Sequence, residues 1–226
     1  TFTGHSLGGG LASLMSVFFD KPAVVFDEAP FQLTAINPVV LTSLEASLLL
    51  AGYTDLDFAF YNASFGTLFP LREGNVSHFS VDGEALASVR LIWPTIVGTD
   101  NQSISLGNST ASGVDRHSMA MLAALQASSA FLNAAQRLPD LVTELLDKNL
   151  FAADSQDPRK TDLLRMLLRH QLGVSGTATI QPDGMLDRFA ADMNNIARSG
   201  GLSMSDTNLT KTLIAFAMQA YYDFSA

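Results

Sequence analysis

The segment Gly4-His5-Ser6-Leu7-Gly8 sets one hydroxyl midway between two glycines, with Gly9 and Gly10 and an apolar run after it. This is an instance of the Gly-x-Ser-x-Gly pattern, in which a serine sits on a sharp turn between a strand and a helix. The residues two before and two after the serine come close together there, so both positions, Gly4 and Gly8, are expected to be small. The turn lifts the Ser6 hydroxyl clear of the sheet edge and aims the first N–H groups of the following helix at the same point. The chemistry implied is nucleophilic attack on a carbonyl, with the Leu7 N–H as one donor to the developing oxyanion. A phosphate-cradling loop is the other glycine-rich option. It fails because no Gly-Lys-Ser/Thr follows and no G-x-G-x-x-G is present.

A serine hydroxyl needs a base within hydrogen-bond reach and a third group to orient that base. The chain has four histidines. His5 adjoins Ser6 on the turn and points away, His170 lies on a polar helical stretch, and His78 is in or beside a strand. His117 follows a polar loop, precedes a helix and comes after the candidate acids, so it is the expected base. Those acids are Asp82 and Glu84, which flank Gly83 where a strand runs into a turn. Asp115 is too near His117 in sequence to serve easily. Asp27 and Glu28 follow another strand, at the end where α/β sheets place ligands, but read as loop acids or helix-start charges.

These residues need elements to hold them. Thr1-Phe2-Thr3 is β-prone, Leu11–Phe19 reads as a buried helix, and Asp20-Lys21-Pro22 ends it. Ala23–Phe26 is a short continuous apolar run, as expected of a parallel strand covered on both faces. Pro38–Tyr53 reads as a helix ended near Gly52. Residues 54–76, rich in phenylalanine, read as core plus loop. Ser77–Glu84 reads as strand and turn, Ala85–Trp93 as helix or extended chain, and Pro94–Asp115 as one strand with loops. Helices are expected from His117 to about Arg137, over Pro139–Phe151, from Asp157-Pro158 through Leu172, over Gly184–Arg198, and over Asp206–Phe224.

Composition excludes several classes. The 226 residues are 47% hydrophobic, enough to bury a core. Thirteen basic against 22 acidic residues give a net charge of −9 without any basic block, so nucleic acid is not an expected partner. Cysteine is absent, which removes disulfides, thiolate metal sites and cysteine nucleophiles from this chain. No run of about 18 apolar residues marks a membrane span. The chain opens inside a motif that normally follows several strands. We therefore expect it to be cut just upstream of the serine's strand, leaving that strand as an exposed edge, the fragment alone inactive, and localisation unreadable.

Gly4-His5-Ser6-Leu7-Gly8-Gly9, then Val81-Asp82-Gly83-Glu84, then Asp115-Arg116-His117-Ser118 together resemble the class 3 lipase-like branch of the α/β-hydrolases. The order serine, acid, histidine is the one found there. The resemblance covers residues 1–125 at most. It implies an α/β fold: the C-terminal part of an α/β-hydrolase sheet, with few parallel strands, over 1–126. The helix-rich remainder, 127–226, is read from the residues alone as a helical extension or covering subdomain. The resemblance places the acid after the glycine, which favours Glu84 with Asp82 second; family members usually carry Asp at that place. It implies a serine ester hydrolase of lipase, phospholipase or esterase type, needing no metal or cofactor. Its partner would be a lipid or other ester, met at most through transient contact with a lipid interface. A thioesterase or acyltransferase would use the same triad, and a non-catalytic hydrolase-like binding module would keep the same outline.

Overall fold

In a computed structural model the chain forms two compact units, Thr1–Ile104 and Ser105–Ala226. Residues 1–92, 101–146, 163–172 and 184–198 are described. The unit boundary lies ahead of the 126/127 division read from the sequence, so His117 belongs to the second unit.

The first unit is α/β. Four strands, β1 (Phe2–His5), β2 (Ala23–Phe26), β3 (Val76–Val81) and β4 (Asn101–Ile104), form an all-parallel sheet in the order β1-β2-β3-β4. β1 therefore stands at one end of that order. The register runs Phe2 to Ala23, Ala23 to Val76, and His78 to Asn101. Because the strands are parallel, His5, Phe26, Val81 and Ile104 all end at one edge of the sheet, the edge at which open α/β sheets gather ligands. Ala23, Val25 and Val76 pack with Ala12 in the sheet's core.

Helix α1 (Leu7–Phe19) follows β1 directly. Its far side meets a second core of Val17, Phe18, Phe31, Ala35, Leu41, Phe58 and Tyr61. Three helices between β2 and β3 supply most of that core: α2 (Gln32–Ala35), α3 (Pro38–Leu50) and α4 (Leu56–Glu73). α3 is the helix expected from Pro38, with Pro at the first turn and the Asn37 side chain accepting from Val39 and Val40 N–H. α4 was not expected, since residues 54–76 read as core plus loop. The core half of that reading stands. Phe58 and Tyr61 are buried, and Phe65 and Phe69 pack against the same cluster, three to four residues apart as on one helix face. Ser64 breaks the helix at φ −141°, and Pro70 lies within it, which is what hides the period in the sequence.

Arg72, near the end of α4, donates from Nη1 to the carbonyls of Val17 and Phe18 at 3.1 and 2.9 Å. A cation is thus set on the last turn of α1, where free carbonyls gather negative charge. The same guanidinium lies 5.5 Å from the Tyr61 ring centroid. Burial raises the Tyr61 pKa, and its hydroxyl donates to the Ala35 carbonyl at 2.8 Å. Helix α5 (Ala87–Ile92) follows the turn after β3.

The described part of the second unit is helical: α6 (Gly113–Arg116), α7 (Met119–Ala127), α8 (Ser129–Arg137), α9 (Leu141–Leu146), α10 (Leu163–Leu172) and α11 (Met185–Arg198). Its buried side chains include Met121, Leu122, Leu125, Phe131, Leu141, Leu163, Leu167, Phe189 and Met193. The single helix expected from His117 to Arg137 is two. Ser128, extended at φ −142°, ends α7 through its N–H and starts α8 by accepting from Phe131 N–H. α11 matches the expected helix over 184–198. The helix expected over Asp206–Phe224 and the stretches 147–151 and 157–162 lie outside the described residues.

Candidate functional site

Ser6 is the only residue between β1 and α1. Its backbone is at φ 56°, ψ −127°, a region that side-chain-bearing residues rarely occupy. The turn is secured on three sides: Ser6 N–H donates to Phe26 O at 3.0 Å, and Ser6 O accepts from Gly10 N–H at 3.1 Å and Ala29 N–H at 2.9 Å. Its side chain makes no capping bond to the helix it precedes. Leu7 opens α1, so its N–H is among the first-turn donors that lack an intrahelical acceptor, and its side chain is 79% exposed.

The glycines divide by position. A Cβ on Gly4 would collide with the Gly8 carbonyl and come within 2.7 Å of Gly9 N, so only glycine fits without a backbone shift. A Cβ on Gly8 would meet nothing within 4 Å. The steric reason expected for both glycines therefore applies to Gly4 alone; Gly8 contributes its backbone to the close approach. Gly9 and Gly10 are the further tight positions, facing Glu28 Cβ and Ala29 O, each 2.7 Å from the atom a Cβ would add.

Of the two candidate acids, Asp82 is exposed and accepts a hydrogen bond from Ser103 Oγ. Glu84 is 3% exposed, and its Oε2 accepts from Leu86 N–H at 2.8 Å. The turn between them is closed by Glu84 N–H on Val81 O at 3.1 Å, with Gly83 at φ 72°. His117 ends α6, and its N–H donates to the carbonyls of Gly113 and Val114. The sheet thus brings Ser6 and Leu7 to the same edge as Asp82 and Glu84, with β2 between, while His117 is carried by the second unit.

Two acids read from the sequence as loop or helix-start charges are buried: Asp27 is 0% and Glu28 5% exposed. Asp27 continues β2 with its backbone at φ 42°. Its N–H donates to Phe79 O at 2.8 Å, its Oδ1 accepts from Val81 N–H at 3.1 Å, and its Oδ2 lies 3.9 Å from His5 Nε2. Glu28 Oε1 lies 2.9 Å from Nδ1 of His78, itself buried in β3. The imidazole is not in hydrogen-bonding alignment there. Glu73 is also buried; desolvation pushes its pKa up, opposed by the nearby His78 and a hydrogen bond with Gln32. The signal missed was position. An acid one residue past a doubly covered strand, followed by Glu-Ala-Pro, has little room to reach solvent.

No family model, curated protein or solved structure matches this chain.

Proposed function

We propose that the protein is a serine ester hydrolase of the α/β-hydrolase superfamily, similar to its class 3 lipase-like branch, with Ser6 as nucleophile. The observation that carries this reading is Ser6 itself. It stands at positive φ between a parallel strand and a helix, with Gly4 packed on the backbone of Gly8, and its side chain does not cap the helix. An ordinary serine at a helix start has none of these features. Four parallel strands in sequential order, with the serine after the first, acids after the third and a histidine after the fourth, suit the C-terminal part of such a sheet.

In this mechanism His117 takes the Ser6 proton as Oγ attacks the ester carbonyl carbon. The oxyanion is met by the Leu7 N–H. The carbonyl–oxygen bond to the alcohol then breaks, and His117 returns the proton to the departing alkoxide. Water, activated by the same imidazole, hydrolyses the acyl-enzyme. Glu84 orients His117: its burial and its hydrogen bond favour it over exposed Asp82, because an orienting carboxylate works best away from water. The reading requires His117 of the second unit to reach Ser6 Oγ. No metal or cofactor enters these steps. A lipid ester is the favoured substrate class, supported by the exposed Leu49, Leu50, Tyr53 and Leu56 at the turn between α3 and α4.

The test is covalent labelling with a fluorophosphonate together with hydrolysis of a short-chain ester. The wild-type protein is expected to label once, at Ser6. Ser6→Ala should lose labelling and at least about 10³-fold in turnover. Labelling that persists in the alanine variant, or a wild-type protein inert to both reagents, would end this reading.

A further inference from the structure

The buried carboxylate of Asp27 has no part in the steps above, yet it lies between the two backbone segments those steps depend on. Its Oδ2 is 3.9 Å from Nε2 of His5, the residue before Ser6. Its Oδ1 accepts from the N–H of Val81, the residue that begins the turn to Glu84. The parallel ladder explains why a side chain is used. Asp27 N–H bonds to Phe79 O in regular fashion, and the next bond in the pattern would run from Val81 N–H to the Asp27 carbonyl. Asp27 turns instead to φ 42°, which takes its carbonyl out of line, and its own Oδ1 takes the Val81 N–H. Aspartate and asparagine are the side-chain-bearing residues that best tolerate this backbone region. The turn frees the chain to pass on to Glu28 and Ala29. Ala29 N–H reaches Ser6 O, and Glu28 Cβ fills the space beside Gly9.

We propose that Asp27 is a positioning residue: its carboxylate replaces the missing ladder acceptor and fixes the acid turn after β3 relative to the serine turn after β1. This rests on the hydrolase reading. If Glu84 orients the base, a slip of the Val81–Glu84 turn moves that carboxylate off its partner, and misplacement on the order of 1 Å costs about 10² in rate. Asp27 acts through Val81 and His5.

The experiment compares Asp27→Gly with Asp27→Asn in ester hydrolysis, fluorophosphonate labelling and amide hydrogen exchange at Val81. Glycine keeps the positive φ and removes the acceptor; asparagine keeps both. Asp27→Gly is expected to lose about 10²-fold in kcat with KM changed less than about 3-fold, and to lose exchange protection at Val81. Asp27→Asn is expected to restore kcat to within about 5-fold and to restore the protection. Should the glycine variant not fold, Asp27→Ser, whose hydroxyl falls short of Val81, takes its place. Wild-type kcat in the glycine or serine variant, or asparagine as damaging as glycine, overturns this role while Ser6 labelling leaves the hydrolase reading intact. A wild-type protein that neither labels nor turns over removes both.

Discussion

Among the described residues four helices begin directly after a serine, and the two units use that serine in opposite ways. In the second unit Ser112, Ser118 and Ser128 stand at negative φ with extended backbones, and their hydroxyls accept from the N–H groups of Asp115, Met121 and Phe131. Each hydroxyl is committed to its own helix. In the first unit Ser6 stands at φ 56° and gives its helix no side-chain bond. The same residue type in the same local sequence position is a cap in one unit and is withheld from capping in the other. What differs is the neighbourhood. Gly4 lets the strand pack on the backbone of Gly8, which holds the turn in the strained form, and none of the second unit's three serines has a glycine two residues before or after it. Among the described residues, all three non-glycine positions with positive φ, Ser6, Asp20 and Asp27, lie in the first unit. Two of the three sit at the edge where the site is proposed. Backbone strain concentrated there fits a region organised for chemistry rather than for its own stability.

The comparison can be broken most directly at the glycines. Gly4→Ala is expected to cost about 1–3 kcal/mol of unfolding free energy, because the new methyl meets backbone that cannot rotate away. It should also slow fluorophosphonate labelling. Gly8→Ala, placed in open space within α1, is expected to gain up to about 1 kcal/mol from helix propensity. Denaturant melts of the pair give the two signs, and equal effects would show that the turn is not held by that close approach.

A smaller effect separates the serines. Ser128→Ala should cost about 1 kcal/mol, since Phe131 N–H loses its acceptor and Asp187 Oδ1 loses the Ser128 hydroxyl, while Oδ2 keeps the Gln171 Nε2 donor. Ser6→Ala has no cap to remove and should cost less than Ser128→Ala. A destabilisation at Ser6 as large as at Ser128 would make Ser6 a structural serine after all.

The smallest expected effect is a pH slope. Burial raises the Glu73 pKa above its ordinary 4.5. Between the unfolded and folded values the native state holds a proton that the unfolded chain has released, so stability declines as pH rises through that window. Glu73→Gln should therefore melt higher than wild type near neutral pH, with the gain shrinking as pH falls below the ordinary carboxyl range. A gain that is constant with pH would assign the effect to packing instead of ionisation.

Much of the first unit was legible because its signals are local. Ala23–Phe26 is too short and too uniformly apolar for a surface helix, Pro38 after Asn37 announces a helix start, and the glycines around Ser6 announce a turn. α4 was hidden because Ser64 and Pro70 interrupt a phenylalanine period that packing against Val17 and Phe18 still selects. The division between α7 and α8 was hidden because a serine between alanine-rich stretches tolerates a helix as well as it caps one.

The sequence by itself determined the strained turn at Ser6, the acids that follow β3 and the apolar strands that carry them, since turn chemistry and hydrophobic runs act over a few residues. Only the tertiary structure decided that Asp27 and Glu28 are buried, that Glu84 is sheltered while Asp82 is exposed, and that Gly4 rather than Gly8 is sterically required. Those outcomes depend on which strands lie side by side. The bond from Val81 to Asp27 joins positions 54 apart, a separation over which neither propensity nor periodicity carries information.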